Sequence, residues 1–338
     1  MPDMRLQRLG LQNFRSYQKK SFDFSEQINL IIGDNGAGKS NILEAIYLLA
    51  TGKSFRAEKD EQMVFYGQEF GRVTGSAEQN SETIEIEVVL TKPKRFLVNG
   101  VAKRKMDFVG NLACVLFRPE DIDLILGSPS RRRAYLDAVL EPVDREYRRC
   151  NLSFQKGLRQ RNKLLERIRE GEAERKQLLF WDQMLIKNGE IIYEKREKFL
   201  SWLKLVYDPS RISPLRLSQY GQREIAAAKT LVGPHRDDFR FMVQRPGKAV
   251  KDLSIYGSRG EQRMAVLGVK LGEFSYVEKK LGEKPLLLLD DIFSELDHEN
   301  REKIFSLLKK QQTIMTTADK HLLPKGIKLD IKTINVEN

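Results

Sequence analysis

The sequence predicts an α/β fold in which a mostly parallel sheet carries a phosphate-binding loop, flanked by a patch of antiparallel strands and interrupted by an inserted helical lobe. Three observations predict it. A short apolar run, Asn29 to Ile32, leads directly into GDNGAGKS at Gly33 to Ser40. A second apolar run, Leu286 to Leu289, ends in the acid pair Asp290 and Asp291. Between them, residues 131–205 lose strand alternation and take up helical periodicity.

The first run reads as a buried strand, and the loop after it satisfies G-x-x-x-x-G-K-S/T. Gly33, Asp34, Asn35, Gly36, Ala37 and Gly38 form the loop. Its glycines let the backbone curl until N–H groups point at phosphate oxygens, where the next helix begins with the positive end of its dipole. Lys39 then reaches the β and γ phosphates of ATP, and Ser40 supplies a hydroxyl ligand to Mg2+. Ile42, Ile46 and Leu49 recur at helical spacing until Gly52, so strand, loop and helix follow in the order the motif requires. A plain glycine turn would not need that order.

The second run starts after Pro285 and reads as a strand buried on both faces. It has the form of a Walker B strand. Asp290 is placed to hold Mg2+ through Ser40 or a water, and Asp291 to orient the attacking water. ABC ATPases usually carry glutamate at that second position, so the shorter side chain predicts slow hydrolysis. SELD, Ser294 to Asp297, follows in the place of a D-loop.

About 30 residues ahead of Walker B, SRGEQ (Ser258 to Gln262) opens a helical pattern that lasts to Lys280. Ser258 and Glu261 form S-x-x-E, a capping box. The same residues fit an ABC signature, in which Ser258, the Gly260 N–H and the helix dipole present an anion site to the γ-phosphate of a partner subunit. Both readings can hold together. With one Walker A and one signature per chain, ATP would be shared between two copies, giving an ATP-dependent homodimer.

Residues 84–105 alternate, with Ile84, Ile86, Val88 and Leu90 on one face and Asn99-Gly100 marking a hairpin turn. Residues 131–205 hold 19 Lys and Arg against 12 Asp and Glu. In SPSRRR, Ser130 reads as an N-cap that leaves Arg131, Arg132 and Arg133 in the first turn, where cations oppose the dipole. A nearby anion, DNA phosphate or acidic loop, would compensate; pairing of Arg133 with Asp137 is the plainer alternative. Arg145, Arg149, Lys156, Arg159 and Lys163 recur on roughly one helical face, either a DNA surface or an ordinary solvated one. Aromatic residues are not interleaved with these cations, so duplex backbone binding fits better than base stacking.

Composition sets the outer bounds. The chain has 338 residues, 41% of them apolar, enough for a sizeable core and about two structural units. A net charge of +12 and a pI near 9.5 favour a polyanionic partner. Cys114 and Cys150 lack the paired spacing of a disulfide framework or a zinc site, and no membrane-spanning or leader segment stands out, so a cytoplasmic location is expected.

NGAGKSNILEAI, GKSFR at Gly52 to Arg56, LFRPEDIDLILGSPSRRRAYLD, GPHRDD at Gly233 to Asp238 and LLLLDDIFSELD occur in the order found in the RecF family, which the chain resembles over nearly its whole length. The resemblance implies an ABC-type P-loop ATPase head like that of SMC proteins, ATP-dependent dimerisation, binding to double-stranded DNA, and cooperation with RecR and RecO in loading RecA at gaps. It also implies that Arg15 in NFRSY and Arg56 approach the nucleotide. Glu120 stands where a Q-loop would join two lobes, and Thr316-Thr317 where transporters place their switch histidine. His235 reads as a structural histidine. An SMC-like head in chromosome maintenance is the alternative, but about 75 helical residues cannot make long heptad arms. A transporter subunit lacks the basic insertion, and a metabolic P-loop kinase would not explain SRGEQ or SELD. The expected division is an ATPase lobe, 1–121 plus 209–338, and a basic helical lobe, 122–208.

Overall fold

Contacts divide the chain into two units, Met1–Asp121 with Glu273–Asn338, and Ile122–Gly272. The structure is a computed structural model and describes residues 4–79, 82–244, 249–294, 308, 311–318 and 331–337.

The first unit begins with β1 (Arg5–Phe14) and β2 (Tyr17–Asp23), then β3 (Ile28–Ile32) and α1 (Lys39–Thr51). It continues through β4 (Gly71–Gln79), β5 (Glu82–Leu90), β6 (Arg95–Val98), β7 (Val101–Lys103), α2 (Lys105–Phe108) and β8 (Cys114–Phe117). An antiparallel sheet has the order β2-β1-β4-β5-β6-β7. In β5 the alternation read from sequence is realised: Ile86, Val88 and Leu90 are buried, while Glu85 is exposed. Asn99 (φ 50°) and Gly100 (φ 74°) turn β6 into β7, both left-handed as the tight hairpin requires.

The second unit contains α3 (Asp123–Leu126), α4 (Pro129–Val143), α5 (Arg145–Arg169), α6 (Leu179–Trp202), β9 (Val206–Asp208), α7 (Pro214–Ala227), β10 (Asp238–Arg240), β11 (Met242–Val243), β12 (Lys251–Asp252) and α8 (Leu253–Tyr256). The helix α9 (Arg259–Leu281) starts in this unit. α5 and α6 pack side by side over Phe154, Leu165, Leu185, Ile192 and Phe199, all buried. Two buried arginines knit the unit together. Arg161, 2% exposed, bonds Asp182, Glu224 and Thr230. Arg196, 3% exposed, bonds the Tyr147 hydroxyl, the Pro234 carbonyl, Asp137 and Asp237. Breaking one partner of such a pair typically costs about 3–5 kcal/mol.

These pairs explain why the second unit, which runs to Gly272, extends past 208. Glu224 of α7 and the GPHRDD segment are anchored on α5 and α6, so they belong with the helices. GPHRDD thereby gains a role: Asp237 also accepts from Tyr207 and from the Ser210 N–H, and Asp238 holds Arg132.

The start of α4 corrects the sequence reading. Its N-cap is Ser128, with Pro129 at the first helical position and Ser130 inside the first turn. Proline fixes φ and lacks the N–H that would go unpaired there, which sets the boundary one residue before it.

The chain returns to the first unit through β13 (Leu286–Asp290), β14 (Thr313–Thr317) and β15 (Ile331–Asn335). Among the described residues these complete a parallel sheet of order β15-β3-β14-β13-β8. β3 and β14 are buried at every position, and so are Leu286 to Leu289 of β13, as a sheet covered on both faces demands. Gln312, 2% exposed, ties the two sheets: it accepts from the Leu6 N–H and donates to the Leu6 and Ser25 carbonyls. No helix among the described residues is long and apolar enough to cross a membrane.

Candidate nucleotide-binding site

Parallel strands end together, and the crevice beyond their carboxyl ends is where α/β sheets bind ligands. Here β3 ends in the loop Gly33 to Ser40, and β13 ends in Asp290 and Asp291. β14 lies between them in the sheet.

The loop turns into α1 at Gly38, whose φ of 97° is left-handed. A Cβ there would stand 2.8 Å from the Tyr17 hydroxyl and 2.9 Å from Ser16 Oγ, so the β1–β2 turn closes over the loop. The first turn of α1 carries no acidic residue, and its N-cap makes no side-chain bond. Those N–H groups keep the anion-binding character of a bare helix start. Lys39, 8% exposed, lies within the curl and donates to the Gly33 (2.6 Å) and Asp34 (2.9 Å) carbonyls. Asp34, Asn35 and Gly36 are exposed, and Ala37 is buried.

Ser40 Oγ donates to Asp290 Oδ1 at 2.8 Å across 250 residues of chain, so the two motif ends meet as the sequence predicted. Thr316 of β14 adds what the motifs did not announce. Its hydroxyl, 1% exposed, donates to the same Asp290 oxygen at 2.8 Å and accepts from the Asp291 N–H at 3.0 Å. Asp291 sits at φ 48°, a left-handed conformation that a non-glycine residue holds only with support. A serine hydroxyl and a carboxylate are the hard oxygen donors that Mg2+ selects, so Ser40 and Asp290 fit the ion.

The cations expected near the nucleotide have defined partners. Arg15 grips Glu44 of α1 through Nε (2.8 Å) and Nη2 (2.6 Å), and its Nη1 donates to the Gln62 carbonyl. Glu44 is fully buried and also accepts from Ser54. A carboxylate at a helix position flanked by Leu43 and Ala45 was the available signal, because a buried charge requires a partner. Arg56 is exposed and donates to Asn41 Oδ1 at 3.1 Å, while Asn41 donates to Ser16. Glu120 lies in a 3-10 turn after β8 and is 61% exposed.

Ser258 caps α9 in a reciprocal box: the Ser258 N–H donates to Glu261 Oε2 at 2.8 Å, and the Glu261 N–H to Ser258 Oγ at 3.2 Å. Ser258, Arg259 and Gly260 are all exposed. The hydroxyl accepts in this box and keeps its own proton to donate. Of SELD, Ser294 closes a 3-10 turn, Ile292–Ser294, and Glu295 to Asp297 lie outside the described residues.

Of the two anions the sequence offers the α4 arginines, DNA phosphate or acidic loop, the structure supplies acidic residues of the chain itself. Arg131 pairs with Asp123 at 2.6 Å, and Arg132, 11% exposed, grips Asp238 at 2.6 and 3.0 Å. Arg133 donates to the Asp237 carbonyl. Arg131 and Arg132 are compensated by carboxylates of the chain, Arg133 bonds a carbonyl, and Asp137 instead accepts from Tyr147 and Arg196. Arg149 is exposed on α5. His235 bonds the Thr230 carbonyl through Nε2 and faces the Phe154 ring, and its buried Nδ1 finds no partner among the described residues. Burial first, with Arg236, Arg133 and Arg161 adding to it, pushes its pKa down to about 4.

A glycine-rich loop, a helix start without acids and a hydroxyl–carboxylate pair at the sheet's carboxyl edge define a P-loop ATPase head of the ABC type. Comparisons place it more closely. Residues 5–336 match the family described as RecF/RecN/SMC N terminal domain. The chain is 33% identical to the DNA replication and repair protein RecF of Bacillus cereus (strain G9842), covering 99% of this chain and 97% of that one. With the RecF of Moorella thermoacetica the identity is 37%, covering 96% and 92%. A solved structure described as the recombination mediator protein RecF-ATP in the RecFOR pathway superposes with a TM-score of 0.86 at 32% identity, over 98% of each chain. The chain belongs to the RecF family. The Smc head domain of Pyrococcus furiosus, at 17% identity and a TM-score of 0.50, shares the fold.

Proposed function

We propose that this chain is an ATP-dependent DNA-binding protein of recombinational repair and replication. Two copies close around ATP and Mg2+, the closed dimer binds double-stranded DNA, and slow hydrolysis opens it again. Together with RecR and RecO it promotes RecA loading at gaps, as membership of the family suggests. The observation that carries the reading is the Ser40–Asp290 pair at 2.8 Å beside a glycine-rich loop that runs into an acid-free helix start. Gly33 to Gly38 and Lys39 cradle the phosphates, Ser40 and Asp290 hold Mg2+, and Asp291 orients water. The ion itself would draw charge from the γ-phosphate. Each copy offers Ser258 and Gly260 of its exposed α9 start to the other copy's γ-phosphate. Nucleotide then acts as an adhesive that hydrolysis removes. Arg15 and Arg56 flank the site: Arg15 holds α1 through Glu44, and Arg56 is free to swing from Asn41 toward phosphate.

Mass in solution tests the reading, measured with and without ATP and then with duplex DNA. Doubling on ATP addition, followed by DNA binding of the dimer, is the expected result. A chain that stays monomeric with saturating ATP would sink it.

A further inference from the structure

We infer that one face of α5 is the surface that lies against the duplex backbone, an inference that rests on the DNA-binding reading above. Arg149, Lys156, Arg159 and Lys163 are exposed and recur at intervals of seven, three and four, so at 100° per residue they form one stripe with Arg145 at its start. Leu152 and Gln160, also exposed, fill the same stripe, and no carboxylate falls on it between Arg145 and Lys163. The stripe is about 27 Å long at 1.5 Å per residue. That spans roughly eight steps of a duplex strand at 3.4 Å each.

What marks these four is that they share one face of one helix without an acidic partner. Other cations of the unit pair with a carboxylate: Arg131 with Asp123, Arg132 with Asp238, Arg167 with Glu172, Lys195 with Asp144 and Glu146. Arg149, Lys156, Arg159 and Lys163 have no carboxylate within ion-pair distance among the described residues. Like charges three and four apart on a helix destabilise it, and α5 carries three such pairs along this stripe. Solvated faces ordinarily avoid that by mixing signs, as the exposed positions of α6 do with Lys187, Glu190, Glu194, Glu197 and Lys198. From Arg149 to Lys163 the stripe carries one sign and no counter-charge, which calls for an external polyanion. Its only large apolar member is Leu152, so the stripe reads phosphates and not base faces.

The test replaces Arg149, Lys156, Arg159 and Lys163 together with glutamine in the full chain and measures duplex affinity with ATP across a salt series. The wild type should show a steep fall of affinity with salt. The quadruple variant should lose about 3 to 4 from the slope of log affinity against log salt, near 0.9 per phosphate contact. Its ATP affinity and ATP-driven mass should be unchanged, and its thermal midpoint equal or higher, because only repulsion has been removed. Lys187→Gln with Lys198→Gln is the control and should leave the slope intact. A quadruple variant with the wild-type slope overturns the inference and leaves DNA binding to another face. A wild type that binds no duplex overturns the reading beneath it. Loss of binding to polyglutamate alone, with duplex affinity kept, assigns the stripe to an acidic protein and also overturns it.

Discussion

Thr316→Val isolates the hydroxyl that joins the two acids of Walker B. Valine keeps the shape of threonine, so packing at this 1% exposed position changes little. Two hydrogen bonds go. Asp290 loses one of the two hydroxyl donors on its Oδ1, and the Asp291 N–H loses its acceptor. A hydrogen bond to a charged group contributes about 1.5–3 kcal/mol, and an orphaned buried N–H costs about 1–3 kcal/mol. Part of the second figure is recovered because Asp291 is only half-buried, so a net loss of about 2–4 kcal/mol is expected. The larger effect should fall on turnover. The Thr316 bond supports the Asp291 backbone at φ 48°, so its loss should draw the carboxylate away from the attacking water. Turnover by single-cycle hydrolysis should drop at least tenfold, while ATP affinity measured without Mg2+ stays the same. Urea denaturation gives the stability change, and Thr316→Ser should restore both. A valine variant as stable and as active as wild type would refute the reasoning.

Other residues make separate demands. Lys39→Ala removes the ammonium from the phosphate cradle and should largely abolish ATP binding by titration, and with it dimer formation; undiminished ATP-dependent dimers would contradict the site. Asp291→Asn should keep ATP and lengthen the dimer's lifetime, and faster hydrolysis would count against its role with water. His235 is held neutral, its pKa pushed down from 6.5 to about 4, so the unfolded chain binds the extra proton first. Its contribution is present above pH 6.5 and should be lost as pH falls toward 4, by about 3 kcal/mol in full. His235→Gln should flatten that part of the stability profile, and an unaltered profile would move the effect elsewhere.

The nucleotide loop was legible because its signal is contiguous: glycine spacing, lysine, serine and helix start occupy eight residues that fold locally. Walker B was legible because four leucines ending in two aspartates can only be a buried strand reaching the crevice. The partners of Arg132 and Arg133 were not, since Asp237 and Asp238 lie more than a hundred residues downstream and a contact at that distance leaves no local pattern. Thr316 was marked only as standing in a switch histidine's place, and its bonds to both Walker B acids stayed hidden for a related reason. Its position between two motifs follows from the sheet order, with β14 placed between β3 and β13, and not from its neighbours in sequence. The α4 boundary could have been found from Pro129, whose preference for the first helical position outranks the capping tendency of Ser130.

The central claim is that one chain's nucleotide is completed by the other chain's α9 start, and Ser258→Asp tests it most directly. Aspartate caps a helix as well as serine, so α9 should keep its start and the fold its stability. Facing a γ-phosphate, however, a carboxylate repels a polyanion at hydrogen-bond range. ATP affinity by titration and mass by light scattering, recorded on the same protein with its thermal midpoint, separate the two roles. The account predicts wild-type ATP affinity, an unchanged midpoint and a chain that remains monomeric at saturating ATP. Normal ATP-driven dimers in Ser258→Asp would contradict the shared site.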